Sequence, residues 1–385
     1  MTSDLRHRFP GLNDGWARFD GPAGTQMVDT AIDAMADWMR SGSSANSHGP
    51  FDAAARTDAL MSQARQTLGE LLGGDPSGVV FGPNMTTMML GFTRSVAQTL
   101  KPGDEVLCTS LDHDANVTPW ASACADAGAT LVMAPFDPTS GRIEVASIAD
   151  RIGKRTRWVA VTGASNAIGT MPDVRAITKA AHEVGSRVAI DAVHLAPHAP
   201  IDVAAIGCDA LFCSPYKWYG PHAGVMWADP ELLSDLEPYK LRPADDRVPA
   251  RWETGTPSFE AIAGVEAAAR FLLAEGLESI AAAEASVFGP VLGGLLDFEH
   301  VTVYGPRGHA NRTPTVAFTV HGQTPAQTAA SLAEEKIAVW SGDYYAVDVM
   351  RTLGLPDGAV RAGVVRYITD DDTARLLDRV RKLRR

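Results

Sequence analysis

An aspartate and a lysine carry the strongest chemical signal in this chain. Both lie in the segment VAIDAVHLAPHAPIDVAAIGCDALFCSPYKWYGPH, which runs from Val188 to His222. Two short apolar runs, VAIDAV and ALFCS, flank a Pro/Ala/Gly-rich connection, and each reads as a buried strand. The first delivers Asp191 to its C-terminal end, with His194 just beyond. The second delivers Ser214, Tyr216 and Lys217. Ligands of open α/β sheets sit outside the carboxyl ends of strands, so one carboxylate and one amine arrive at the same sheet edge. The surroundings of Lys217, YKWYGP, are aromatic and proline-bounded, unlike the setting of a solvated lysine.

A desolvated lysine beside a carboxylate suits pyridoxal phosphate. The lysine must lose its proton to add to the cofactor's aldehyde, and burial favours the neutral amine. The carboxylate keeps the ring nitrogen protonated, which makes the ring an electron sink for a carbanion at Cα. Upstream, GVVFGPNMTTMMLGFTRSVAQTL reads as strand, tight turn and helix, bringing Thr86 and Thr87 to a helix N-terminus. The unpaired N–H groups and the dipole there favour an anion, although threonine is also a common N-cap.

SPYKWYGP resembles the lysine segment of the class V aminotransferase/cysteine desulfurase-like family, fold-type I enzymes that use pyridoxal phosphate, and DAVH resembles that family's Asp-x-x-Gln segment. The resemblance spans nearly the whole chain and implies roles residue by residue. Met85 and Thr86, with Thr87, fall in the phosphate-binding turn. His113 matches the histidine that stacks on the pyridine ring. Asn166 matches the asparagine that bonds the phenolic oxygen, and His194 replaces the glutamine that bonds the same oxygen. Both side chains can donate a hydrogen bond, but a histidine there is expected to make the lysine–cofactor linkage more sensitive to pH. Tyr216 replaces a histidine that touches the phosphate, and Ser214 lies in the same segment. Thr256, in a Gly-Thr-Pro loop, is expected to reach the phosphate of a neighbouring subunit, which implies a homodimer with composite active sites. Arg361 matches the arginine that grips a substrate α-carboxylate, a task suited to its planar fork. Asn46 and His48 lie in a loop that approaches substrate from above. Tyr345 stands where desulfurases carry their nucleophilic cysteine, flanked by Asp343 and Tyr344.

Behind these residues stands a chain of 385 residues, long enough for a large domain and a smaller one. The expected fold is α/β, a fold-type I architecture whose seven-stranded, mostly parallel sheet lies between helices beside a smaller C-terminal α/β domain. Residues 1–75 form an N-terminal arm and helices, 76–258 the large cofactor domain, and 259–385 the small domain. The net charge of −12 argues against nucleic acid or an anionic membrane as partner. No run is expected to approach the roughly 20 apolar residues of a membrane span, and MTSDLRHRFPGLNDG has no signal-peptide core. The four cysteines, Cys108, Cys124, Cys208 and Cys213, show no metal spacing and fit a reducing cytoplasm.

Persulfide chemistry needs a thiolate, which Tyr345 cannot supply. The leading expectation is therefore β-elimination from cysteine or an S-substituted cysteine, a carbon–sulfur lyase reaction. Decarboxylating or oxidative deamination of a similar conjugate is the alternative, followed by epimerisation or transamination, and then ordinary cysteine desulfuration. A cofactor-binding regulator would need a DNA-binding extension or basic patch, and neither is present.

Overall fold

The computed structural model describes residues 5–383. Apolar runs bounded by turn residues build a seven-stranded sheet in the order Val79–Gly82, Gly224–Ala228, Ala210–Cys213, Arg187–Asp191, Thr156–Thr162, Glu105–Thr109 and Thr130–Ala134. Gly224–Ala228 runs antiparallel to both of its neighbours, and the other pairings are parallel. The central strands are buried along nearly their whole length, as expected where helices cover both faces of a sheet. One consequence matters for the site. Asp191 ends its strand, and Ser214, Tyr216 and Lys217 follow the neighbouring strand in a short 3-10 turn, Pro215–Lys217.

The carboxyl end of Val79–Gly82 leads into the helix Met85–Ala97, capped by the Asn84 side chain accepting from Thr87 N–H at 2.8 Å. That turn lies flat on the sheet because Gly224 has no side chain. A Cβ there would stand 2.5 Å from the carbonyl carbon of Asn84.

A second, antiparallel sheet of four strands follows, in the order Trp340–Gly342, Ala359–Gly363, Thr315–Val320 and Val301–Tyr304. The N-terminal arm is stitched to it. Ala17–Arg18 pairs with Ile337–Ala338, and Asp20 bridges Gly363. Helices Asp29–Arg40 and Asp52–Leu72 pack along Phe259–Glu275, so the arm reaches both sheets.

One helix departs from the sequence expectation. Leu277–Leu296 is long and apolar enough by composition to cross a membrane. It carries Pro290 within its length, and its Leu277, Ile280, Phe288, Leu292 and Leu295 are buried in the protein core. Its glycines and proline disguise the helical period in the sequence.

Candidate active site

The carboxyl edge of the large sheet and the loop 340–345 of the small sheet enclose a cleft of about 860 Å³. Asn84, Met85, Thr86, His113, Asn166, Asp191, His194, Ser214, Tyr216, Lys217, Tyr345 and Arg361 all line it.

Lys217 is buried, and its Nζ donates to the Pro22 carbonyl of the N-terminal arm while lying 5.2 Å from the Tyr216 ring centre. Burial, aided by the positive charge of Arg361 and opposed by Asp191, lowers its pKa to about 7. Asp191 is pushed the other way. Burial raises its pKa to about 6, against the Val193 N–H that donates to it at 2.9 Å and against the charge of Lys217. A buried carboxylate held this high lacks a full counter-charge, and a cationic ring nitrogen would supply one.

His113 caps its own turn, with Nδ1 accepting from Ala115 N–H at 3.0 Å. In the neutral ring Nε2 therefore carries the proton. Burial, then Lys217 and Arg361, lower its pKa to about 4, so the ring is neutral at pH 7. Asn166 Nδ2 donates to the Tyr344 carbonyl at 2.9 Å, and its own carbonyl accepts from Arg361 Nη1 at 2.8 Å. The Arg361 guanidinium lies 4.2 Å from the Tyr344 ring centre, and burial lowers its pKa to about 10. Tyr216 stacks on His222 at 5.0 Å and 12°.

Three buried polar atoms of the cleft have no hydrogen-bond partner: Asn166 Oδ1, His194 Nδ1 and Arg361 Nε. Buried polar atoms are nearly always paired, so their convergence on one cavity marks a place for a polar ligand. With a lysine, an under-compensated carboxylate and a helix N-terminus on the same walls, these residues fit pyridoxal phosphate.

Four residues singled out from the sequence lie outside this cleft; of these, Thr256 is expected at the phosphate of a neighbouring subunit. Thr87 lines a neighbouring cavity instead, because consecutive helical residues point about 100° apart and Thr86 takes the cleft side. Thr256 lies on an exposed loop along that same neighbouring cavity. Asn46 and His48 are exposed and away from the cleft. The Asp58 carboxylate holds His48, accepting from its backbone N–H at 3.2 Å and lying 2.9 Å from its ring. His194 is buried in the cleft wall. Burial, with His198, Lys217 and Arg361 nearby, holds its pKa well below the usual histidine range, so it stays neutral.

Sequence reasoning missed the Pro22 carbonyl on Lys217, the Asn84 cap and the placement of Tyr344 beneath Arg361. Only Asn84 left a signal, as an N-cap residue ahead of a helical run. Tyr344 and Tyr345 both adopt positive φ, 56° each, in a loop that backbone contacts pin down. Asp114 N–H donates to the Tyr345 carbonyl at 2.7 Å.

A model of the family described as Aminotransferase class-V matches residues 18–376. A cysteine desulfurase of Klebsiella pneumoniae (strain ATCC 700721 / MGH 78578) is 31% identical over 99% of this chain and 98% of its own. A probable cysteine desulfurase of Mycolicibacterium paratuberculosis is 30% identical over 95% of this chain. The match spans only 55% of that longer protein. Among solved structures, the apo cysteine desulfurase of Thermococcus onnurineus NA1 superposes with a TM-score of 0.93 at 25% identity, covering 99% of this chain and 97% of that one.

Proposed function

The chain belongs to the class-V aminotransferase family, and from that premise we propose that it is a carbon–sulfur lyase acting by β-elimination on cysteine or an S-substituted cysteine, with no persulfide on the enzyme. The cofactor of the family is pyridoxal phosphate, which when bound supplies an electron sink for the bonds at Cα. Lys217 is the residue to hold its aldehyde and Asp191 its ring nitrogen. Asn166 and His194 serve the phenolic oxygen, His113 the ring face, and the helix N-terminus at Met85 and Thr86 the phosphate.

Arg361 binds the substrate α-carboxylate through its free Nε edge, which fixes where Cα lies. Lys217 Nζ, in the neutral form that its lowered pKa of about 7 makes available, takes the Cα proton. The Cβ–S bond then breaks, a thiol leaves through the open mouth, and water completes the products as pyruvate and ammonia.

The observation that carries the reading is the absence of a usable thiol. Tyr345, which the family resemblance aligns with the nucleophilic cysteine, lines the cleft, and none of the four cysteines does. Burial raises every thiol pKa, to about 11 for Cys124, to about 12 for Cys208 and Cys213, and well above the usual range for Cys108. Such thiols are neither ionised nor reachable at pH 7. Incubation with an S-alkyl cysteine tests the proposal. Thiol, pyruvate and ammonia are expected in equal amounts. Carbon dioxide, or an amino acid that keeps its sulfur, would overturn it.

A further inference from the structure

Behind His194 the cleft wall continues inward as a buried polar chain that the chemistry above does not use. The His194 ring meets the His198 ring edge-on, with centroids 5.3 Å apart at 70°. His198 Nδ1 lies 2.7 Å from Glu284 Oε2, and their side chains are 2% and 1% exposed. The other Glu284 oxygen accepts from the Tyr219 hydroxyl at 3.4 Å, and that hydroxyl accepts from Arg366 N–H at 3.2 Å. Tyr219 is two residues beyond Lys217, fully buried, with a φ of 70°. The chain thus runs from the cleft into the helix Leu277–Leu296 and back to the lysine turn.

Glu284 sits on the buried side of an otherwise apolar helix face. A buried ion pair is usually no more stable than an apolar packing of the same volume, so stability is a poor reason for its presence. Away from water, neither a lone carboxylate nor a lone imidazolium is tolerated, so the His198–Glu284 pair keeps one proton between its members. The titratable and charged groups that act on His194 are His198, Lys217 and Arg361. Glu284 is faced by His198, Tyr219 and Arg366. A neutral imidazole has a single N–H, and its partners choose the nitrogen. His194 Nε2 stands 3.0 Å from Thr315 Oγ1, which leaves Nδ1 as the nitrogen free for a ligand.

We propose that His198 and Glu284 are positioning residues: the His198 ring, held by Glu284, packs edge-on against His194 and keeps its imidazole in one orientation, with Nε2 on Thr315 and Nδ1 offered to the cleft. In its consequence for the cofactor, though not in its effect on His194, the inference rests on the function proposed above. It explains how a histidine can replace an amide and still present one nitrogen to the cleft.

The test uses full-length protein labelled with nitrogen-15 in histidine, with His194 assigned through its single replacement by glutamine. Long-range proton–nitrogen spectra from pH 6 to 9 should show one unchanging neutral tautomer at His194. In Glu284→Gln, His194 should populate both tautomers or titrate, and the pH midpoint of the bound cofactor's visible band should move by about one unit. If Glu284→Gln does not fold, His198→Gln, which keeps a donor for Glu284, is read in the same way. Native circular dichroism with an unchanged His194 spectrum overturns the proposal. A changed spectrum with an unmoved band overturns the link to the cofactor. Should the protein bind no cofactor, the function proposed above fails, while the His194 spectrum still decides the positioning role.

Discussion

The two walls of the cleft are built on opposite terms. The large-sheet wall presents Asp191, His194, Ser214 and Lys217 from strand ends and the turns that follow them, all buried. The facing wall is the short edge strand Trp340–Gly342 and the turn after it to Tyr345, whose Trp340 and Tyr345 are 54% and 70% exposed. On the first wall, desolvation does the chemical work. It lowers the Lys217 pKa to about 7 and raises that of Asp191 to about 6. On the second wall, Trp340 and Tyr345 stand open to solvent. Its order comes from backbone contacts, with Asn166 and Asp114 donating to the Tyr344 and Tyr345 carbonyls. The difference teaches that reactivity resides in the buried wall and that the exposed loop acts by shape.

The largest effect should come from removing the buried amine. Lys217→Ala should lower turnover by more than about a thousandfold, because both the cofactor linkage and the proton transfer depend on it. A residual rate within tenfold would break the division between the walls. The same desolvation predicts how cofactor uptake by the stripped protein varies with pH. Only the neutral amine adds to an aldehyde, so the rate should level off above pH 7. It should fall about tenfold per unit below the Lys217 pKa of about 7. A profile rising only near pH 10 would show a solvated lysine.

Arg361→Lys keeps the charge and loses the fork, so KM for amino-acid substrates should rise roughly 10- to 100-fold, the size of a lost charged hydrogen bond. An unchanged KM would place the substrate carboxylate elsewhere. Thr256→Ala should weaken cofactor retention by about 0.5–1.5 kcal/mol, provided a second subunit brings this threonine to the phosphate. Light scattering that shows a fully active monomer would remove that role. Tyr345→Phe should change turnover least, by less than about tenfold, since the proposed chemistry forms no bond to the tyrosine oxygen. A loss of several thousandfold would give the exposed wall a chemical role.

The same contrast governs what could be read from sequence. Asp191 and Lys217 were legible because short apolar runs announce buried strands and strand ends announce ligand edges. The expected fold class matches the observed mixed sheet of seven strands for the same reason. Loops gave much less. Asn46 and His48 in a loop, and Thr87 inside a helix, have suitable side chains, but their direction depends on local partners such as Asp58 and on helix phase. The Pro22 carbonyl reaches Lys217 across 195 residues of chain, and no local pattern records such a contact. Tyr344 lies under Arg361 only because its φ is positive, a conformation that its residue type does not suggest. Glu284 was hidden inside a helix whose glycines and proline mask its period.

The central claim is that sulfur leaves substrate without touching an enzyme thiol. Intact-mass analysis of the protein after turnover with free cysteine, with thiols trapped by alkylation, tests it most directly. The account predicts pyruvate and sulfide in solution and no added sulfur on Cys108, Cys124, Cys208 or Cys213. One added sulfur per chain on any of them, formed at the rate of turnover, would contradict it.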